Sequence, residues 1–374
     1  MQAKKRVLFF PFNLLSHYLR CIVLAKQYYD KENYEVLFLS STTYNDYVTL
    51  HGYATFECQQ FDAGKVLKCS EKFDFSWLNY TDIETVFLSQ VECIRQLKPA
   101  IVVGDTAPTL KMAAEFTHVK YVSLMNGYMT KYYSYTRRLS RTHKAYKWSD
   151  KIPEKYFDRI TSFAENLSFK MVHRPFRDLR RKYSLIKVKS YIDEMEGDYN
   201  FICDSPELFP QRHLYSNYKY TGPLIYKSEN NNEKFINKFN PDKPIIFICL
   251  GSSGNWGKLK FLNSPSFVDF TIITAGDTEG ILSAPHIYPY QFVNIDEAMK
   301  VANLMICHGG NGTIYYGLRH GVYMLCITSH FEQEWNVHAL ERIGYGKSVN
   351  DVTEDNWKKI ISESLEVKLS PYIK

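Results

Sequence analysis

Residues Cys307–Gly321 read CHGGNGTIYYGLRHG, with the apolar run VANLMI (301–306) before them and VYMLCI (322–327) after. An apolar run, a glycine-rich turn, a short helix and a second apolar run spell strand, turn, helix, strand. Glycine costs backbone entropy on folding, so three glycines in one turn imply a close backbone approach that other residues forbid. With Asn311 and Thr313 among Gly309, Gly310 and Gly312, and a helix starting at once, the N–H groups and positive helix end form a cradle for an anion. His308 stands beside it as a further ring N–H donor. A plain tight turn is the competing reading of such a cluster.

The same grammar recurs outward. RVLFFPF (6–12), HYLRCIVLAKQYYDK (17–31) and YEVLFLSS (34–41) read as strand, helix and strand. A second unit follows, with AIVVGD (100–105) ending on Asp105 and a further strand ending near Asn126. Later come YNFICDSPEL, PIIFICLGSSGN, FTIITAGD and YMLCIT. Repeated βαβ units predict parallel sheets with right-handed crossovers. The chain is expected to be α/β, with two doubly wound Rossmann-like domains and ligands at the carboxyl ends of the strands, in the cleft between the domains. Gly222-Pro223 opens a polar stretch, which places the domains at 1–222 and 244–374 with a linker over 223–243.

Bulk properties narrow the class. At 374 residues, 45% hydrophobic and 23% charged, the chain is globular rather than disordered. The eight cysteines are scattered without C-x-x-C spacing, as expected of free thiols in a reducing compartment. Pro11 and Asn13 interrupt the only apolar run near the start, and no run approaches a membrane span. A cytoplasmic location is the expectation. Residues 131–189 hold 17 Lys/Arg against 5 Asp/Glu, interleaved with Tyr and Phe at helical spacing. The bland reading is a solvated helical face. The sharper one is a surface for an anionic saccharide or for lipid headgroups on the inner face of the membrane. Nucleic acid is not an expected partner, because no recognition motif accompanies the modest net charge of +6.

The stretch 292–346 resembles the donor-binding signature of the UDP-glycosyltransferase family: an aromatic-Val-Pro segment, H-x-G-x-x-[ST], G-V-P, a [DE]-Q pair and G-x-G. SHYLRCIVLA (16–25) resembles its G-H-x-x-P-x-x-x-L-A, YTGPLIY its V-G-P-L, and ICLGSSG its F-G-S. The resemblance implies the GT-B fold, two Rossmann-like domains facing each other across a cleft, with the acceptor side N-terminal and the donor side C-terminal. By position it implies that Phe292 stacks on the base and that Ser252 touches the diphosphate with His308–Thr313. Glu332 and Gln333 would bond the donor sugar. The chain departs from the pattern at Tyr316, where the family has the Glu that grips the ribose hydroxyls. Asn294 and Tyr323 replace the two prolines.

His17 follows the first strand, where a histidine is ordinarily a polar loop or capping residue. Matched to G-H, it becomes the candidate general base, since imidazole accepts a proton near neutral pH. Asp105 resembles the aspartate that orients such a base; it also reads as a cap for the helix after it. No D-x-D or H-E-x-x-H occurs, so neither a metal nor a resident cofactor is expected. The expected function is inverting transfer of a sugar from a nucleoside diphosphate sugar, UDP favoured, to a hydroxyl acceptor of unknown identity. The alternatives are a sugar-nucleotide hydrolase or epimerase on the same fold, and a non-catalytic nucleotide-sugar binding protein.

Overall fold

The computed structural model describes residues 4–141, 143, 146–149, 151–227, 239, 242–251 and 254–373. The chain divides into two compact units, Met1–Tyr226 and Lys227–Lys374. Most of the linker expected over 223–243 falls outside the described residues, as does Ser252.

The first unit is a seven-stranded sheet. Its strands are β1 (Lys5–Pro11), β2 (Tyr34–Leu39), β3 (Ala54–Phe56), β4 (Ile101–Asp105), β5 (Lys120–Met125), β6 (Tyr199–Ile202) and β7 (Tyr218–Tyr220). Their order is β3-β2-β1-β4-β5-β6-β7. Every pairing is parallel. The helices are α1 (Leu15–Tyr28), α2 (Asn45–Leu50), α3 (Ala63–Ser70), α4 (Tyr80–Leu97), α5 (Leu110–Thr117), α6 (Glu154–Val172), α7 (Arg174–Lys182) and α8 (Tyr191–Met195).

Strands buried on both faces must be apolar throughout. In β1, Val7 and Phe9 pack with Tyr18, Cys21 and Ile22 of α1 on one face. Leu8 and Phe10 pack on the other with Ile83, Phe87 and Val91 of α4 and Leu110 of α5. The expected basic helical region is α6 and α7, and two of its arginines are internal. Arg180 is buried, with Nε 2.7 Å and Nη2 2.6 Å from Glu194 of α8, and Nη1 2.8 Å from Glu115 of α5. His173 meets the same Glu194 at 2.7 Å. Arg137 pairs with Glu165 of α6 at 3.0 Å.

The second unit repeats the design with β8 (Ile245–Cys249), β9 (Thr271–Ala275), β10 (Ile287–Tyr290), β11 (Leu304–Cys307), β12 (Tyr323–Cys326) and β13 (Gly346–Ser348), in the order β10-β9-β8-β11-β12-β13. Its α-helices are α9 (Ile295–Met299), α10 (Asn311–His320), α11 (Phe331–Ile343) and α12 (Glu354–Leu365). Asn294, standing where the resemblance has proline, accepts from the N–H groups of Asp296 (3.1 Å) and Glu297 (3.4 Å) and so caps α9. All described cysteines are free thiols. Among the described residues no helix is long and apolar enough to cross a membrane.

Candidate active site

Strand order reverses at β1/β4 in the first sheet and at β8/β11 in the second, so each sheet opens a crevice at the carboxyl ends of those strands. In the first, Pro11 pairs with Asp105, placing the turn after β1 beside the end of β4. His17 lies in the first turn of α1, with its side chain 15% exposed. Its Nδ1 is 3.0 Å from Oδ1 of Asp105, which is fully buried. The helix after β4 begins only at Leu110, with Thr109 at its N-cap, so the expected capping role of Asp105 is overturned. The carboxylate is committed elsewhere.

Arg20, one turn after His17, donates to both oxygens of Asp105. Its Nη1 also donates to Asn126 Oδ1 at 2.9 Å, and Asn126 in turn reaches the buried Asp204 at 3.4 Å. Burial works to raise the Asp105 pKa, yet the Arg20 guanidinium and then His17 outweigh it and hold the carboxyl down at about 2. Arg20 Nη2 lies 3.1 Å from His17 Nδ1 as well. A single ring nitrogen cannot donate to a carboxylate and accept from a guanidinium at once. The tautomer with Nδ1–H toward Asp105 leaves Nε2 as the proton acceptor. Thr106 follows at φ +54°, a left-handed conformation that costs a β-branched residue about 1–3 kcal/mol.

Beside this cluster is a pocket lined by Phe10, Phe12, Leu39, Phe61, Gln60 and Gln90, among others. The Phe12 ring packs edge-on to His17 with centroids 5.8 Å apart. Gln90 accepts from Thr109 at 2.9 Å. Gln60 donates to Ser40 O at 2.6 Å, while its buried Oε1 has no partner. The pocket thus joins an apolar floor to amide and hydroxyl side chains of Asn13, Gln59, Gln90 and Thr106.

In the second unit Cys249 pairs with Cys307, bringing the turns after β8 and β11 together. Gly309 has φ +77°, and a Cβ there would lie 2.8 Å from Val337. A Cβ on Gly310 would lie 2.2 Å from His308 Nε2. Glycine is thus required at 309 by backbone and packing together, and at 310 a side chain would displace the His308 ring, whereas a Cβ on Gly312 meets nothing within 4 Å. Gly310 is the N-cap of α10, so Asn311, Gly312 and Thr313 are its first turn. Asn336 of α11 pins the turn by donating to Gly309 O at 2.9 Å. The expected base-stacking residue, Phe292, stands between β10 and α9 and is 73% exposed.

Residues 272–371 match the family model described as the glycosyltransferase family 28 C-terminal domain. The chain is 25% identical over 338 residues to a PGL/p-HBAD biosynthesis glycosyltransferase of Mycobacterium tuberculosis, covering 89% of this chain and 77% of the relative. It is 24% identical over 354 residues to a PGL/p-HBAD biosynthesis rhamnosyltransferase of Mycobacterium bovis, covering 92% and 76%. Another M. bovis relative, 25% identical over 64% of each chain, is named inactive. Among solved structures, the kitacinnamycin glycosyltransferase superposes with TM-score 0.71 at 13% identity, over 97% of this chain and 91% of that one. VinC in complex with dTDP gives 0.66 at 18%, over 96% and 91%. The fold is GT-B, and the sequence matches are those of a glycosyltransferase.

In this glycosyltransferase, Glu332 and Gln333 occupy the first turn of α11. Gln333 is buried, and its Oε1 accepts from Ser329 N at 2.8 Å and Oγ at 3.0 Å, holding the loop before the helix. Partial burial pushes His308 down to about 4, only partly offset by the Cys249 carbonyl 3.4 Å from its Nδ1. It is neutral at pH 7 and brings no positive charge to the turn before an anion arrives. His330, at the N-cap of α11, is also held at about 4, by burial first and by His308 second; its buried Nδ1 has no partner. Sequence reasoning passed over Arg20, Asn126 and His330. Arg20 occupies the proline position of G-H-x-x-P, a replacement visible in the sequence whose meaning lies in its distant partner. His330 carried no signal beyond its place just before a helix.

These two histidines make the second unit acid-sensitive. Unfolded histidine titrates near 6.5, so between there and about 4 the unfolded chain binds protons that the fold refuses. Their stabilisation is complete above 6.5 and is lost as pH falls toward about 4, by roughly 3 kcal/mol per histidine at most. Thermal melts from pH 7.5 to 4.5 should show this loss, with a shallower acid slope in His308→Gln and His330→Gln. Equal slopes in wild type and both variants would refute the assignment.

Proposed function

We propose that the protein is an inverting glycosyltransferase that takes a deoxysugar from a dTDP-sugar and attaches it to a hydroxyl on an apolar, aromatic acceptor. One observation carries the donor reading: the turn His308–Thr313, whose Gly309 is required by its positive φ and packing and whose next element is a helix N-terminus. A diphosphate there would receive backbone N–H groups, and its charge would favour protonation of the neutral His308. Tyr316 supports dTDP over UDP, because the Glu it replaces grips ribose hydroxyls and deoxyribose lacks one of them. The dTDP-bound state of VinC, a structural neighbour, points the same way.

Within the first unit, His17 acts as the base. Nδ1–H donates to Asp105, and Nε2 removes the acceptor proton as the acceptor oxygen attacks the anomeric carbon. Attack opposite the nucleotide inverts the configuration. The pocket beside Phe12 suits an aromatic or acyl-bearing acceptor. Glu332 and Gln333 would recognise the sugar. Ser252 and Phe292 remain the expected contacts to diphosphate and base.

A thermal-shift panel of dTDP, UDP and GDP tests the donor site. Stabilisation should be largest with dTDP in the wild type and absent in Gly310→Asp, whose side chain evicts His308 and repels phosphate. His308→Gln, which needs no backbone adjustment, should keep the fold and weaken the shift. No stabilisation of the wild type by any of the three would remove the donor-site reading.

A further inference from the structure

We propose that the outer face of α6 docks the protein on an anionic lipid surface. The helix has 19 residues, about 28 Å of length. Tyr156, Ile160, Phe163, Leu167 and Met171 are 59, 55, 75, 50 and 47% exposed. Their spacing of four, three, four and four confines all five to an arc of about 80° at ~100° per residue. Single exposed apolar side chains are ordinary, but an unbroken row of five along one helix is a patch built to be covered.

Charge identifies what covers it. Arg159 and Lys170 are exposed along one margin of the row, and Arg174 continues it at the start of α7. Among the described side chains of α6 the acidic one is Glu165; it lies on the opposite face and is tied to Arg137 at 3.0 Å. Thr161 and Phe169 on that same inner face are buried, so the helix is fixed with its apolar row outward. The approach to the helix repeats the chemistry: Trp148 is 49% exposed, with the ammonium groups of Lys147 and Lys151 5.9 and 5.1 Å from its ring. An apolar stripe bordered by cations, too short in apolar content to span, lies in the plane of a bilayer with its side chains among the acyl chains and its bases at the phosphates.

The test is co-sedimentation of the full chain with phosphatidylglycerol-containing vesicles and with pure phosphatidylcholine vesicles, at low and high salt. The wild type should pellet with the anionic vesicles at low salt and less so when salt screens the bases. Phe163→Ser with Leu167→Ser should weaken partitioning about tenfold or more per residue, with circular dichroism unchanged because both side chains face outward. Arg159→Gln with Lys170→Gln should mainly erase the preference for anionic over neutral lipid. The proposal is overturned if the wild type stays in the supernatant at low salt, or if the serine variant pellets equally. It is also overturned if sedimentation velocity shows a dimer that the serine variant abolishes without any vesicle binding, since a second copy would then own this face.

Discussion

His17→Ala should lower sugar transfer by ~10²–10⁴-fold while leaving nucleotide-induced stabilisation at its wild-type size. The two readouts separate because His17 belongs to the first unit and the nucleotide turn to the second. Little fold stability is at stake: the ring makes an edge contact with Phe12 and one polar contact with Asp105, which Arg20 continues to satisfy. Removing the ring leaves the acceptor hydroxyl without a group to take its proton, and water in the vacated space is a far weaker base. Transfer should be followed with the donor whose nucleotide wins the thermal-shift panel, with hydrolysis measured in parallel without acceptor. A His17→Ala protein that is folded, binds nucleotide and transfers at the wild-type rate would end the general-base mechanism. Turnover independent of any acceptor in the wild type would favour a hydrolase.

Asp105→Asn and Arg20→Met should each destabilise the first unit by about 3–5 kcal/mol, because each strands a buried charge. Asp105 is fully buried, and the Arg20 side chain is only 11% exposed. Without Asp105 the guanidinium keeps Asn126 and the Cys203 thiol as neutral partners; without Arg20 the carboxylate keeps His17 and a distant Cys21 thiol. The double variant has no stranded charge and should cost well below the sum of the singles. Urea unfolding of the four proteins, followed in the transition of the first unit, gives the cycle directly. Additivity within about 0.5 kcal/mol would show that the pair is not energetically coupled. Asp105→Asn should therefore lose activity partly through stability, which the His17 variant does not.

Much of the fold was legible in the sequence because each long strand is an apolar run ending at a turn residue. β1, β2, β4, β5, β6, β8, β9, β11 and β12 all correspond to runs readable by eye. β3, β7, β10 and β13 did not show themselves. β3, β7 and β13 have only three residues, too few for periodicity to register, and β10 (IYPY) carries Pro289 in place of an unbroken apolar run; all four form because a neighbouring strand already offers unpaired N–H and C=O groups. β7, for instance, lies within Tyr218–Tyr220, just before a stretch that reads as polar linker.

The sequence by itself determined that there are two doubly wound sheets, where their ligand ends lie, and which turn could cradle an anion. Those features are local: an apolar run, glycine and a helix start are set by neighbours along the chain. What only the tertiary structure decided is the electrostatics of the site. His17 and Arg20 are one helical turn apart, but Asp105 comes from a strand 85 residues later and reaches them because β1 and β4 pair at the reversal of strand order. The same holds for His308, whose neutrality follows from its burial over Gly251 at the end of a neighbouring strand. Sequence spacing fixes which residues can share a helix face. The ionisation of a group is fixed by what surrounds it in three dimensions, through Coulomb attraction and lost hydration, and both act across space rather than along the chain.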